Sequence, residues 1–296
     1  ALDPGAGRLS GKVVEAIGRP GEPRVEVLKV AYAKGFADVF PEAVQREAQT
    51  VPDHVTEEDR RGRRDLTHLP LVTIDGEDAR DFDDAVFVER IVGAKGKPLY
   101  RLVVAIADVA HYVRAGTALD DEAVRRATSV YFPMQVLPML PERLSNGICS
   151  LNPAVDRLCM VADLVVDANG ETRTAEVYEG VMRSAARCTY TEVARVLDGE
   201  KVPQRERFRA DFELMAELQA KLTTMRRRRG SIDFDLPEAK IVLAEDGTVA
   251  AIEKRPRNRA HRVVEEFMLA ANEAVARWFG ARDLPTIYRV HGVPDE

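Results

Sequence analysis

The apolar and polar positions along the chain predict strands and helices in a mixed order. Residues 8–30 have the spacing of strands around a Gly/Pro turn. Apolar runs at residues 71–74, 85–90 and 100–109 predict further strands, and the last run is unbroken enough for a buried one. Hairpins are predicted around the turn sequence DANG and over residues 240–254.

Helical spacing is interspersed with these strands. The polar segment at residues 41–65, with its Pro break, indicates a connector, and we place a domain boundary near residue 60. Hairpins mixed with helices, without regular βαβ alternation, predict the α+β fold class. Helices are predicted at residues 119–129, 208–229 and 259–279, the last of them ended by Gly280. A further helix is predicted to begin at a cap formed by Thr189 or Thr191 and to run to Leu197, before Gly199.

Composition indicates a globular, non-membrane protein. The chain has 296 residues, of which 45% are hydrophobic and 31% charged, and no apolar run approaches the ~18 residues of a membrane span. Cys149, Cys159 and Cys188 lack metal-site spacing, so we expect buried, reduced thiols in a cytoplasmic protein. The first residue is not Met, and we expect the chain to start partway through a longer polypeptide.

The net charge of −6 hides clusters of arginine. The 43 basic residues comprise 34 arginines and nine lysines, and arginines concentrate in RRGRR (60–64), RRRR (226–229) and KRPRNRAHR (254–262). Phosphate binding needs a local basic surface, not a basic protein. The alternative is that these runs are solvated faces of an arginine-rich chain, and the sequence leaves both interpretations open.

The stretch TIDGEDARDFDDA, residues 73–85, places six acidic side chains in thirteen residues between apolar segments. On an extended segment Asp81 and Asp83 point to one side and Asp84 to the other, while Asp75 ends the preceding strand. Close carboxylates raise each other's pKa and repel unless a cation joins them. Ligands that are all oxygen favour Mg²⁺, with Mn²⁺ as a substitute.

The spacing of the acidic residues distinguishes a catalytic metal site from its alternatives. A calcium EF-hand loop requires Gly at its sixth position and Glu at its twelfth, but counting from Asp81 those positions are Val86 and Val92. A solvated acidic loop is the default interpretation for scattered acidic residues. That interpretation is weaker here because five of the six acidic residues are aspartates, whose carboxylates sit on shorter and stiffer side chains than those of glutamate. The residues therefore favour phosphodiester chemistry with two metal ions.

Several ordered motifs resemble one family. DLTHLPLVTIDGEDARDFDDAV, IADVAHYV, SVYFPMQVLPMLPERLSNGICSLNP, DRLCMVADLVVDANG and HRVVEEFMLAANE are similar to the signatures of the ribonuclease II/ribonuclease R (RNB) family of 3′→5′ exoribonucleases, nearest to its ribonuclease R-like branch. The resemblance implies that residues 61–296 are the N-terminal portion of an RNB catalytic domain with mainly antiparallel sheets and helices. Residues 1–60 would be the last strands of an OB-type cold-shock domain plus a linker.

The resemblance also implies residue roles. Tyr131 would stack near the RNA 3′ end, the alternative being a core tyrosine beside Phe132. For Glu266, on the helix at 259–279, the alternative to an RNA-binding role is a surface ion pair with Arg262. His111 is interpreted as a structural histidine. The implied catalytic and metal-binding residues are Asp75, Asp81, Asp83 and Asp84: Asp75 and Asp84 would be direct metal ligands, Asp83 would be the residue most critical for cleavage, and Asp81 would support it. The implied RNA-binding pocket for the 3′ end contains Glu265, Glu266 and Asn272, and which of the two glutamates contacts RNA stays open.

The implied activity is processive hydrolysis of single-stranded RNA to nucleoside 5′-monophosphates with Mg²⁺. A catalytically silent RNA-binding scaffold and a DNA-directed two-metal nuclease remain alternatives, because sugar choice depends on 2′-OH contacts that the sequence does not reveal. Family members continue with further helices and an S1 domain. We therefore expect this chain to be a fragment that is inactive alone and that either self-associates or copurifies with a complementary fragment.

Overall fold

The computed structural model describes residues 2–3, 10–13, 15–232, 239–254 and 257–290. The helices are α1 (Pro23–Ala33), α2 (Glu42–Thr50), α3 (Val109–Tyr112), α4 (Ala118–Arg126), α5 (Tyr190–Leu197), α6 (Arg209–Arg228) and α7 (Arg259–Gly280). The strands are β1 (Leu2–Asp3), β2 (Ser10–Gly11), β3 (Arg64–Asp65), β4 (Val72–Asp75), β5 (Asp84–Val92), β6 (Pro98–Ala107), β7 (Val130–Tyr131), β8 (Val136–Leu137), β9 (Asp156–Asp167), β10 (Thr172–Arg183), β11 (Ala186–Thr189), β12 (Ala239–Leu243) and β13 (Val249–Lys254).

A seven-stranded sheet with the order β11-β4-β5-β6-β9-β10-β3 organises the fold. Its middle strands pair antiparallel in long registers, and parallel pairs close both edges, β11 with β4 and β3 with β10. The turn between β9 and β10 contains Gly170 at φ +85°, where an added Cβ would lie 2.4 Å from the Lys221 carbonyl oxygen of α6. Glycine is required there both by the backbone conformation and by the close approach of α6.

Apolar side chains alternate along these strands and bury both faces of the sheet. One face carries Val104 and Leu164 against α5, α6 and α7, where Phe212 and Phe267 are fully buried. The opposite face packs Leu71, Phe82 and Phe87 against Leu151. Burial on both faces explains why β6 has an almost unbroken apolar run. The predicted α+β class is confirmed.

The strand prediction for residues 8–30 is wrong over its second half, where α1 forms instead. Val25, Leu28 and Ala31 are buried along one side of that helix, a spacing of three that fits a helix face. Pro23 lies in the first turn, where its missing N–H costs nothing. The β-branched valines of this segment favoured strands by propensity, and packing overrides that preference. Residues 8, 9 and 14 lie outside the described residues.

The remaining helices and hairpins lie where the periodicity places them. Thr189, the first of the two predicted caps, is the N-cap of α5 and forms a capping box with Glu192. The cysteines are buried and unpaired, as expected. No helix in the described ranges is long and apolar enough to cross a membrane.

Candidate active site

The acidic loop at residues 76–83 joins two neighbouring strands, β4 and β5, at one end of the sheet. Phe82 is its anchor: the ring is buried, and its N–H donates to Ser150 Oγ at 2.9 Å. The Leu151 N–H donates to the Phe82 carbonyl at 2.8 Å, and the Ala107 N–H donates to the Asp83 carbonyl at 2.8 Å. Side chains alternate along an extended segment, so burying Phe82 turns its acidic neighbours away from the core. Ser150 therefore supports the loop, a role that no sequence pattern indicated.

The four predicted aspartates lie close enough at this place to affect one another's ionisation: acidic neighbours contribute to the raised pKa of Asp75, Asp83 and Asp84. Burial, followed by repulsion from Asp84, Asp83 and Asp81, raises the pKa of Asp75 to about 7. Burial and then Asp83 raise the pKa of Asp84 to about 6. Burial, followed by repulsion from Asp81, raises the pKa of Asp83. Part of this side chain is exposed, and the solvent that reaches it limits the rise in pKa.

The donor set suits a hard divalent cation. Asp75 Oδ2 is buried and lacks a hydrogen-bond partner in the described part of the chain, and such an atom is costly unless something binds it. Carboxylate oxygens are the ligands that Mg²⁺ and Mn²⁺ prefer. However, within the described ranges no three His, Cys, Asp or Glu side chains are already arranged to hold one ion together. For these aspartates to share one ion, their carboxylates would have to change rotamer.

Arg187, on β11, is a cation of this site that the sequence did not reveal. Its Nη2 donates to the carbonyls of Gly76 at 3.1 Å and Glu77 at 2.6 Å. Its charge opposes the rise in the pKa of Asp75. Arg80, the nearest cation along the sequence, is exposed. Arg187 reaches the loop because β11 pairs in parallel with β4, which places Thr189 opposite Asp75, and no local pattern encodes that pairing.

The other acids of the loop lie at its outer side. Glu77 and Asp78 are exposed. Glu77 is nevertheless not free: hydrogen bonds from Thr191 and, more weakly, Thr189 lower the pKa of its carboxyl. This contact ties the loop to the first turn of α5.

Tyr131 lies on β7 with 68% of its surface exposed. The alternative of a core tyrosine is therefore wrong. Burial, then the charges of Asp81 and Asp83, raise the pKa of its phenol, so the ring lies within electrostatic range of the acidic loop. An exposed aromatic face next to a carboxylate cluster can cover a base or a ribose without reading its sequence.

The candidates on α7 differ in accessibility. Glu266 is 6% exposed, and its Oε1 accepts from Thr223 Oγ1 and Arg226 Nη1, each at 2.8 Å, both from α6. The predicted alternative of a pair with Arg262 is thus wrong, because the partner comes from the facing helix. Glu265 is exposed and accepts from Arg257 at 2.6 Å, and Asn272 is exposed. Both glutamates line a cleft between α6 and α7.

His111 belongs to a different network. Its Nε2 lies 2.8 Å from Asp59 Oδ1, and its Nδ1 lies 3.3 Å from Arg63 Nη2. Arg63 in turn donates to the buried Asp108 at 2.6 Å. These contacts fasten the segment before β3 onto the α3 corner, which agrees with a structural role for His111.

Comparison with known proteins gives a consistent result. The RNB domain model matches residues 63–296. The chain is 45% identical to ribonuclease R of Vibrio parahaemolyticus over 97% of this chain and 34% of that protein. It is 44% identical to ribonuclease R of Escherichia coli over 96% of this chain and 35% of that protein. The chain therefore spans about a third of the length of these curated relatives.

Solved structures show the same fold. Mycoplasma genitalium RNase R in complex with ribose-methylated single-stranded RNA superposes with a TM-score of 0.86, at 30% identity, over 93% of this chain and 42% of that one. Yeast Ssd1, described as a pseudonuclease, superposes with a TM-score of 0.65 at 14% identity, over 88% of this chain and 32% of that one. The second likeness concerns the fold alone.

Proposed function

The chain belongs to the RNB family, and we propose on that basis that its natural protein is a 3′→5′ exoribonuclease. It would hydrolyse single-stranded RNA processively to nucleoside 5′-monophosphates in the cytoplasm. The observation that carries this proposal is the convergence of Asp75, Asp81, Asp83 and Asp84, with one buried carboxylate oxygen left without a hydrogen-bond partner in the described residues. Related ribonuclease R structures contain single-stranded and double-stranded RNA, which supports RNA as the substrate class.

We assign residues 61–296 to the N-terminal portion of the catalytic domain, and residues 1–60 to the end of a cold-shock domain plus a linker. The family match beginning at residue 63 supports the first assignment. The short pair of β1 and β2 is compatible with the second.

Divalent-metal dependence is general among nucleases of this family, and we propose Mg²⁺ for this protein. Asp75 and Asp84, the two most strongly shifted carboxyls, would hold the metal, with Asp83 and Asp81 beside them. When bound, divalent ions in such sites activate water and stabilise the leaving oxygen. The chain itself contributes an anchored loop, an aromatic surface at Tyr131, and carboxylates whose burial makes them costly to leave without a cation.

The 3′-end pocket is proposed on α7. Glu265 and Asn272 are exposed and accessible to a terminal nucleotide, whereas Glu266 is buried against α6. We therefore propose that Glu265 and Asn272 contact RNA. Glu266 would act by holding Arg226 at the edge of the cleft.

The decisive experiment incubates the natural full-length protein with 3′-labelled and 5′-labelled single-stranded RNA and DNA, with Mg²⁺ and with chelator. We expect a ladder of shortening 5′-labelled RNA, release of labelled mononucleotide from the 3′ end, and no reaction with chelator. Binding of RNA without any cleavage would favour a silent scaffold. Equal cleavage of DNA would favour the DNA-directed nuclease.

Tyr131→Ala should lengthen the limit product more than it slows cleavage. Losing a stacked base contact costs about 1–3 kcal/mol, so the RNA should dissociate while its remaining end is longer. Sizing the end products on a denaturing gel measures this. Tyr131→Phe, which keeps the ring, should retain the wild-type product length. An unchanged product length in the alanine variant would remove Tyr131 from the RNA path.

RNA affinity should fall steeply with salt, but fewer arginines should contribute than the sequence suggested. Within the basic runs Arg226, Arg229 and Arg259 already pair with acids of the chain. Arg262 is exposed and lines the α6–α7 cleft. Arg262→Gln should therefore reduce the slope of log affinity against log salt by about 0.7, the value of one phosphate contact on a single strand.

The matched control is Arg259→Gln on the same helix. Arg259 Nη1 donates to the Leu197 carbonyl at 2.8 Å and faces Asp198, so this variant should keep the wild-type slope. Equal slopes for both variants and the wild type, measured by fluorescence anisotropy, would show that Arg262 is a solvated bystander.

A further inference from the structure

Arg187 makes a set of contacts that its neighbours on β11 do not share. The same Nη2 atom donates to two consecutive carbonyls, those of Gly76 and Glu77. The guanidinium also lies 5.4 Å from the centre of the Phe82 ring. One side chain therefore contacts the acidic loop both at its start, immediately after Asp75, and at its anchor, immediately before Asp83.

Arg187 is itself held in place from the side away from the loop. Its carbonyl accepts from Arg205 Nη2 at 2.6 Å, and Arg205 Nε donates to Glu192 at 3.0 Å. Glu192 is the acidic partner in the capping box of α5. The strand, the helix start and the loop are thus connected through one arginine.

The site also needs a fixed positive charge. Asp75, Asp81, Asp83 and Asp84 repel one another, and the positive charge of Arg187 opposes that effect at Asp75. Arg187 Nε is buried and has no hydrogen-bond partner in the described ranges. An arginine is planar, always charged and able to donate in several directions, which suits it to bridge adjacent carbonyls and remain near the carboxylates.

We propose that Arg187 is a positioning residue of the carboxylate site: it fixes the backbone between Asp75 and Asp81 and so sets the first aspartate relative to the other three. Its kinetic consequence rests on the proposed ribonuclease function. Its structural consequence, ordering of residues 76–83, does not. A displacement of about 1 Å in a catalytic group can cost ~10²-fold in rate, so loss of this anchor should act on catalysis and leave RNA affinity largely intact.

The kinetic test compares variants of the natural full-length protein. Arg187→Met should lower kcat for single-stranded RNA by ~10²-fold, with KM and RNA affinity within about twofold of wild type. Arg187→Lys retains the charge but not the planar fork of donors, so it should recover only part of the lost kcat. The matched control is Arg207→Met: Arg207 also donates to a backbone carbonyl, that of Ala185 just before β11, and lies over a phenylalanine ring. Arg207 is exposed and makes no hydrogen bond or ion pair with the acidic loop among the described residues.

A second measurement separates this inference from the proposed function. Amide hydrogen exchange within residues 76–83 should become faster in Arg187→Met and stay unchanged in Arg207→Met, whether or not the protein hydrolyses RNA. Wild-type protein without ribonuclease activity would overturn the proposed function, and the exchange rates would still decide the role of Arg187. Unchanged loop exchange, or an equal loss of kcat in Arg207→Met, would overturn the positioning role.

Discussion

Asp83→Asn in the natural full-length protein should lower the rate of RNA hydrolysis by about 10²–10³-fold, the cost of removing one preorganised electrostatic contact. Asp83 lies among the aspartates, keeps an exposed surface, and has a raised pKa from burial and from Asp81. A neutral amide at this place removes one of the negative charges that a bound cation needs. RNA affinity should stay within about threefold, because it is distributed over many phosphate contacts.

Asp78→Asn is the matched control. Asp78 lies in the same loop, carries the same charge and is exposed, so the control tests whether any lost charge in this loop is harmful. It should keep the wild-type rate within about twofold, as is usual for surface substitutions away from special features. Single-turnover rates with labelled RNA measure both variants. If Asp83→Asn keeps more than a tenth of the wild-type rate, Asp83 is not the residue most critical for cleavage.

The local parts of this site could be predicted from the sequence. The strands flanking the acidic loop have clear apolar runs, and the aspartates lie within ten residues of one another, so their convergence depends on a single loop. The order of apolar and polar residues did not predict whether Tyr131 is exposed, because SVYFP fits a buried core strand equally well. The family resemblance, not the periodicity, favoured the exposed position that the structure has.

The non-local parts could not be predicted in this way. Arg187 reaches the loop through a parallel pairing of β11 with β4, whose strands are more than a hundred residues apart in sequence. Glu266 has a plausible partner one turn back at Arg262, but it pairs across a helix interface with Arg226. In α1, the valines favour a strand by propensity, and burial of one helix face decides the outcome. Each case depends on tertiary packing that single-sequence patterns do not contain.

Asp75→Asn should make the metal-free protein more stable while it removes the response to Mg²⁺. The pKa of Asp75 is raised from 3.8 to about 7 by burial and by three neighbouring aspartates, so its ionised form is disfavoured in the folded state. The folded protein loses stability as the pH rises from about 4 to about 7, because the unfolded chain releases this proton first. Above that range the loss is complete, and a neutral asparagine avoids it.

The size of the gain follows from the shift. One pKa unit corresponds to about 1.4 kcal/mol, and solvent that reaches the partly exposed carboxyl reduces the full effect, so we expect about 2 kcal/mol at pH 8 with chelator. At pH 4 the variant and the wild type should unfold at nearly equal denaturant concentrations. Chemical denaturation at both pH values measures this difference.

Added Mg²⁺ should reverse the order of stability. A ligand that binds only the folded state stabilises it by about 2.7 kcal/mol at a hundredfold excess over its Kd, so the wild type should gain and Asp75→Asn should gain little. Asp78→Asn, exposed in the same loop, should respond to Mg²⁺ as the wild type does. If Asp75→Asn is less stable than the wild type in chelator at pH 8, burial and repulsion of the ionised Asp75 carboxylate do not destabilise the folded protein. If it gains as much from Mg²⁺ as the wild type, Asp75 does not hold the metal.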